Sequence, residues 1–489
     1  MELSKLLNNI QAIQVAGNFN VDEQVSSIEY DSRKVKEKSL FVAIKGFNVD
    51  GHKFITGAVN KGAAGIVLQD DNAVPDEFLS ANKVSKILVE NSREALADLS
   101  SAFYDHPSDK LNIVGITGTN GKTTVSYLIK NIFEYAGRKT GMTGTIANFI
   151  GNEKIVSDLT TPESSELNQL LKEMYVEGCS DVVMEVSSHS LVLKRVYGIN
   201  FNFAVFTNIT AEHLDFHHDF ESYLKAKKIF FDSLSGDAIA IVNSDDNYTG
   251  QIISNCNAKI YRYGYSSSSD FQISDVHYDL SGTRFKINYA NKTHPVKTSL
   301  VGEFNAYNSC AAFAAGVLNN INEEKVIEGI KSASQVPGRF EVLSGKNKKV
   351  VIDYSHTPDS LEKALKTIHG LNKNNSKVIT VFGCGGNRDR EKRPVMGRIA
   401  AELSDEVIIT SDNPRFEDPF AIIDEIKKGI NKNNFTVIEN REDAIAKSIV
   451  NNDDAIILVA GKGHEDYQEV NGVRKHFSDK ETVQKYLKT

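Results

Sequence analysis

The chain has no stretch of about 18 uninterrupted apolar residues of the kind that spans a bilayer. Its opening segment, MELSKLLNNIQAIQVAG, lacks a basic region followed by a continuous apolar run. Export and membrane insertion are therefore not expected, and a cytoplasmic location is. Cysteine is scarce: Cys179, Cys256, Cys310 and Cys384 are far apart and form neither a CxxC pair nor a metal-ligand spacing, which argues for a reduced protein without a disulfide framework. Positive charge is not in excess either. Lys plus Arg number 56 against 64 Asp plus Glu, a net charge of −8, so the broad positive field that nonspecific nucleic-acid binding needs is absent and anionic ligands must be captured locally. Repeats and low-complexity tracts are also missing.

What is present is globular: hydrophobic residues are 40% and charged residues 25%, close to the average for folded proteins, over 489 residues, a length that implies two to four domains. The first 91 residues mix short β-type runs, Ser39 to Ile44 and Gly65 to Leu68, with turn clusters, and read as a small α/β domain. A helical stretch from Arg93 to Tyr104 then leads into the apolar run Leu111 to Ile116, so a second domain, 92–338, is expected to begin near residue 92. In it, strand candidates at 181–186, 203–207 and 238–242 alternate with amphipathic segments, the pattern of a mostly parallel sheet, and residues 270–300 alternate around Ser281-Gly282 like a β-hairpin. A third domain, 339–489, shows strand candidates at 349–353, 378–382, 406–410 and 455–460, each followed by a loop and a helical stretch, as in Rossmann-like doubly wound folds. The expected class is α/β in three domains.

The apolar run ends in Gly118-Thr119-Asn120-Gly121-Lys122-Thr123-Thr124, a variant P-loop in which Ile116 stands where the usual pattern has its first glycine. A strand feeding such a loop lets backbone N–H groups turn toward phosphate oxygens; the next helix adds its positive end, Lys122 a cation and Thr123 a magnesium-binding hydroxyl. This implies ATP or GTP and says nothing of the reaction. Glu185, at the end of the run Asp181-Val182-Val183-Met184, could hold magnesium opposite Thr123 or be a solvated strand-end charge; the small polar residues after it, Val186-Ser187-Ser188-His189, favour the former. The segment Asn208 to His218 crowds imidazoles and carboxylates into one loop, but an HxxxH spacing with no third ligand does not define a zinc site.

Together with Thr160-Thr161-Pro162, Gly302-Glu303-Phe304-Asn305-Ala306-Tyr307-Asn308, Pro337-Gly338-Arg339-Phe340-Glu341 and Asp353-Tyr354-Ser355-His356-Thr357-Pro358, these motifs resemble, in order and across all three domains, those of the Mur ligase family. The resemblance implies an ATP-dependent acid–amino-acid ligase of peptidoglycan precursor synthesis, in which ATP phosphorylates a substrate carboxylate and an amine attacks the acyl phosphate. It implies one Mg2+ on Thr123 and Glu185, and a second placed by His213 and by Lys227 carried as N6-carboxylysine; on residue type alone, Lys227 on an amphipathic helix is a surface lysine. It further implies ATP contacts from Asn305, Asn308, Arg339 and Asp353. Tyr30, Ser32 and Phe47-Asn48-Val49 match the region that holds UDP, while Thr160, Thr161, Ser187 and Arg195 match contacts to a muramoyl-dipeptide. Leu159 and Leu193 depart from the polar amides that relatives can carry there.

Ser411-Asp412-Asn413-Pro414-Arg415-Phe416-Glu417 resembles the signature of the diaminopimelate-adding subgroup. The implied substrates are UDP-N-acetylmuramoyl-L-alanyl-D-glutamate and meso-2,6-diaminopimelate, acted on by a monomer. Arg415 can grip the distal carboxylate bidentately while Asp412, Asn413 and Glu465 receive the distal ammonium; Arg388 adds a second cation, and Pro414 and Gly461 complete the site. Lysine lacks that carboxylate and would leave Arg415 unpaired. A lysine-adding ligase on the same UDP-dipeptide is the alternative within the family, and a P-loop ATPase or switch that makes no bond is the alternative outside it.

Overall fold

In the computed structural model, which describes residues 1–17, 22–46, 49–345 and 348–488, three large sheets follow one another along the described residues, and a two-stranded antiparallel ribbon, Tyr467–Val470 with Val473–His476, comes after the last strand of the third. The first sheet runs Ala12–Gly17, Ser85–Val89, Gly65–Leu68, Ser39–Val42, Ser27–Glu29 across its width, parallel except for its first strand. Alternate residues feed two cores: Leu40, Val42, Val67 and Ile87 on one face, Phe41, Ala43, Ile66 and Leu68 on the other.

The helix Ser92–Phe103 lies beyond the boundary expected at residue 92 and yet packs on the first sheet. Asn91 caps it by accepting from the Arg93 and Glu94 N–H groups, and its buried stripe, Ala95, Leu96, Leu99 and Ala102, packs into the core of the first sheet. The helix belongs to the first domain because that is where its apolar face is covered. Residues 104–111 join this helix to the strand Asn112–Thr117 of the second sheet.

The second sheet has eleven strands. Asn112–Thr117 lies in its middle, flanked in parallel by Asp181–Glu185 and Phe203–Phe206, and Ile239–Asn243 and Lys259–Gly264 extend it. The expected hairpin forms as two antiparallel strands, Phe271–Asp279 and Gly282–Tyr289, and continues into a third, Lys292–Thr298. Helices Lys122–Tyr135, Glu303–Leu318 and Glu323–Ser332 cover one face, and Ser164–Val176 and Phe220–Asp232 the other. The strand Thr140–Thr143, beside Asp181–Glu185, carries no alternation that would mark it in sequence; all four residues are buried because both faces are covered.

The third sheet runs Glu341–Ser344, Lys349–Asp353, Ala455–Ala460, Lys377–Phe382, Glu406–Ile409, Phe435–Val437, parallel apart from the first pair. Helices on both faces make it doubly wound. The loops 383–388, 411–415 and 461–465 all leave the carboxyl ends of adjacent strands, which brings residues far apart in sequence to one edge. Among the described residues, no helix is long and apolar enough to cross a membrane.

Candidate active site between the second and third domains

The P-loop is shaped by two glycines in left-handed or extended-positive conformations. Gly118 has φ 150° and a Cβ there would lie 1.9 Å from Thr207 Oγ1; Gly121 has φ 90° and a Cβ would lie 2.5 Å from Asn308 Oδ1. Gly121 starts the helix Lys122–Tyr135, so the positive end of a 14-residue helix opens into the loop. Lys122 Nζ donates to the Gly118 and Thr119 carbonyls at 2.8 and 2.9 Å, and burial lowers its pKa against the opposing pull of Glu212 and Glu185.

Glu185 is fully buried at the end of the neighbouring strand. Its Oε2 accepts from Thr123 Oγ1 at 3.0 Å and Thr145 Oγ1 at 3.1 Å, and its Oε1 from the Thr145 N–H at 2.9 Å. Gly144 is needed for this fit, since a Cβ there would stand 2.4 Å from Glu185 Oε1. Thr145 is a site residue that no motif announced. Its hydroxyl also meets Thr160 Oγ1 at 3.1 Å, while Thr161, fully buried, donates to the Glu185 carbonyl at 2.7 Å and supports the turn from below.

The imidazole loop folds against the same wall. His213, with φ 56°, has its ring 4.9 Å from that of His189, which lies 5.6 Å from His217 and 4.1 Å from Phe216. Burial, with adjacent positive charge, pulls His189 and His217 down to about 4, and burial, against the opposing pull of Glu212, lowers His213. His217 is anchored by Ser188 Oγ at 2.9 Å. Lys227 is 1% exposed, which corrects the default reading of a surface lysine: the helix Phe220–Asp232 turns that face inward with Tyr223 and Phe230. Among the described residues Lys227 has no ion pair; its Nζ lies 4.6 Å from the Tyr223 ring centre, a ring that also packs 6.3 Å from His213. Burial first, and Lys122 second, lower its pKa well below the ordinary lysine value.

One cavity of about 720 Å³ joins the P-loop, Glu185, His189 and His213 to the third domain, while Lys227 and His217 do not line it. Its walls include Thr119 to Thr124, Thr160, Glu185, Ser187, Arg195, His213 and Asn308 from the second domain, and Arg339, Asp353 and Arg388 from beyond it. Arg339 donates to Thr123 Oγ1 at 3.3 Å and stacks 4.6 Å over Tyr354, while its Nε is buried without a partner among the described residues. Asp353 accepts from the Phe340 N–H at 2.7 Å and from Ser355 Oγ. Asn305 does not line the cavity: its Oδ1 accepts from Asn308 Nδ2 at 2.9 Å and aims the Asn308 amide at the P-loop. Glu212 and His189, which also line the cavity, stood inside recognised motifs without an assigned role; the Glu212 carboxylate lies 3.8 Å from His213 and 4.0 Å from His356 of the third domain. Ser187 caps the helix Ser188–Val192, and Arg195 is held by Glu163 at 2.7 Å and the Thr161 carbonyl at 3.3 Å.

The third-domain loops form a second cluster next to Arg388. Arg415, at φ 54°, donates to the Gly386 carbonyl at 2.8 Å, with Glu469 Oε2 3.9 Å from its Nε. A Cβ on Gly385 would lie 3.0 Å from Arg415 Nη1 and 3.9 Å from Arg388 Cγ, so the two guanidinium-bearing chains share one glycine gap. The Pro414 carbonyl packs against Gly386, and Gly461, at φ 114°, gives room to Asp412 Oδ2. Asn413 Nδ2 donates to Glu465 Oε2 at 2.8 Å; burial, then Asp412, raises the Glu465 pKa. Lys462 enters this cluster, which was not expected.

In the first domain, Tyr30 donates to Glu166 of the second domain at 3.0 Å, and the Ser32 carbonyl accepts from Lys61 Nζ at 2.8 Å. Neither lines the cavity; Val49 is 55% exposed, and Phe47 and Asn48 lie outside the described residues.

Family models match the chain in three places: Mur ligase family, catalytic domain, at residues 24–104; Mur ligase middle domain at 116–316; and Mur ligase, glutamate ligase domain, at 338–463. Among similar proteins are the UDP-N-acetylmuramoyl-L-alanyl-D-glutamate–2,6-diaminopimelate ligases of Clostridium tetani, 42% identical over 100% of this chain and 99% of that protein, and of Bacteroides thetaiotaomicron, 41% identical over 99% of both. A solved structure of a ligase of the same description superposes with a TM-score of 0.71 at 29% identity, covering 100% of this chain and 99% of that one. Mycobacterium tuberculosis folylpolyglutamate synthase, at 18% identity and a TM-score of 0.63 over 76% of this chain and 92% of that one, shares the fold. The chain belongs to the Mur ligase family.

Proposed function

We propose that this protein joins meso-2,6-diaminopimelate to the D-glutamate of UDP-N-acetylmuramoyl-L-alanyl-D-glutamate at the expense of ATP. The observation that carries this reading is the shared cavity: a P-loop with a buried carboxylate at its hydroxyl, opening onto Arg388 and, beyond it, Arg415.

The D-glutamate carboxylate attacks the γ-phosphorus of ATP, ADP departs, and an acyl phosphate remains. The amine then attacks the acyl carbon, and the tetrahedral intermediate collapses to an amide, expelling phosphate while the nitrogen loses its proton. Gly118 to Thr124 hold the phosphates with backbone N–H groups and the helix end, Lys122 and Arg339 oppose their charge, and Arg195 with Ser187 orients the dipeptide. Thr123 and Glu185, two hard oxygen donors 3.0 Å apart, fit Mg2+. Mg2+ bound there would offset the repulsion between a carboxylate and a triphosphate. Among the described residues no three His, Cys, Asp or Glu form a metal cluster, so a second Mg2+ would depend on His213, on substrate oxygens and on Lys227 as N6-carboxylysine. Burial fits Lys227 for that modification, because the neutral amine is the form that takes up CO2. The free cysteines, three of them buried, suit a reducing compartment, and we place the protein in the cytoplasm as a monomer.

Arg415 favours diaminopimelate over lysine. Competition between the two amines, read as amide product, tests the choice. ATP hydrolysis independent of both the UDP-dipeptide and the amine would instead support an ATPase that makes no bond. Oxygen-18 in the dipeptide carboxylate should appear in phosphate; unlabelled phosphate would rule out the acyl phosphate.

A further inference from the structure

The third-domain cluster holds a cation for which the proposed reaction has no use. Lys462 is fully buried; its Nζ donates to Asn413 Oδ1 at 3.0 Å and to Glu465 Oε2 at 3.2 Å, stands 3.8 Å from Asp412 Oδ1, and lies 5.5 Å from the Tyr467 ring centre. Asn413 Oδ1 also accepts the Glu469 N–H at 3.0 Å, and its Nδ2 donates to Glu465 Oε2 at 2.8 Å. The amide cannot turn over without breaking all three bonds. Arg441, whose charge also bears on Asp412 and Glu465, is committed to Asp479 at 2.7 and 2.8 Å. Two carboxylates, Asp412 and Glu465, therefore face one buried ammonium, and the cluster has room for the charge of one more.

We propose that Lys462 is a positioning residue for the amine substrate: it fixes the Asn413 amide and the Glu465 carboxylate and cancels one of the two carboxylate charges. The cluster is thereby set to accept a single ammonium, that of the far end of diaminopimelate. The inference rests on the reaction proposed above and assigns the side chain that prepares its amine subsite. A cluster without Lys462 would keep two buried like charges with no ammonium between them, and would leave the Asn413 amide held by two of its three bonds.

The test is steady-state kinetics of the wild-type chain, Lys462→Met and Lys462→Arg with ATP, UDP-N-acetylmuramoyl-L-alanyl-D-glutamate and diaminopimelate each varied in turn. The expected result is a diaminopimelate KM raised about tenfold or more in Lys462→Met, with the other two KM values within about twofold, and partial recovery in Lys462→Arg. A diaminopimelate KM within about twofold of wild type overturns the proposal. So does an equal rise in all three KM values with a lower Tm, the mark of a lysine that only holds the fold. If Lys462→Met does not fold, Lys462→Gln, which keeps a donor without the charge, is read in the same way. A wild-type chain that makes no amide from these substrates overturns the reaction itself and this inference with it.

Discussion

Thr123 Oγ1 donates to Glu185 Oε2 at 3.0 Å although the two residues are 62 positions apart. The parallel register pairs Glu185 with Ile116, so the Glu185 strand ends level with the entry to the P-loop. Glu185→Gln keeps the shape and removes the charge; kcat should fall about 100-fold in a phosphate-release assay while circular dichroism shows a folded protein.

Arg415 is held by the Gly386 carbonyl on one side and faced by Glu469 on the other, so its guanidinium is oriented before any substrate arrives. Arg415→Ala should raise the diaminopimelate KM about 30-fold and leave the ATP KM unchanged. Equal changes in both would remove Arg415 from the amine site. Lysine cannot reproduce the planar fork, so Arg415→Lys should not restore the KM.

Lys227 is buried, and that burial lowers its pKa well below the ordinary lysine value, which favours the uncharged amine that takes up CO2. Protein equilibrated with ¹³C-bicarbonate at about pH 8, where a free lysine is almost wholly protonated, should show a carbamate carbon signal. The signal should vanish in Lys227→Arg together with ligase activity. A wild-type spectrum without it would exclude the carboxylysine.

Glu417 is bound by Arg393 at 3.0 Å through each of two guanidinium nitrogens and by Arg390 at 2.7 Å, and chiefly the Arg393 hydrogen bonds hold its pKa down at about 2. Its folded pKa lies below the unfolded one, so its contribution is complete above the ordinary glutamate range and is lost as pH falls toward 2. Glu417→Gln should cost about 2 kcal/mol at neutral pH and flatten the decline in stability between about pH 5 and pH 2, as followed by urea titrations.

The helix Ser92–Phe103 completes the first core. A fragment ending at residue 91 should therefore aggregate, while one ending at 106 should give a cooperative thermal transition. Leu99→Ala in the longer fragment should cost about 3 kcal/mol. A stable fragment ending at 91 would restore the boundary read from sequence.

The central and third-domain strands were legible because buried parallel strands are short apolar runs, as at Val350-Val351-Ile352 and Ile456-Ile457-Leu458. The P-loop was legible because phosphate binding demands small residues and a lysine at fixed spacing. Thr145 was not legible because its partner Glu185 is far away in sequence and nothing local distinguishes it from any other threonine; Lys462 stands between Gly461 and Glu465, but its bond to Asn413 depends on a loop 49 positions away. The helix at 92–103 misled for a related reason, since periodicity shows that a helix has an apolar face but not which core covers it.

By itself the sequence determined the class of fold, the three large sheets in order, the nucleotide loop and the third-domain loops proposed to carry the amine site, because these depend on local periodicity and on contiguous motifs. Only the tertiary structure decided that Lys227 is buried, that Asn305 serves Asn308 rather than the cavity, and that Lys462 already occupies part of the site expected for a substrate ammonium. Burial and charge pairing are properties of chain crossings, and residues learn their neighbours only when the strands that carry them lie side by side.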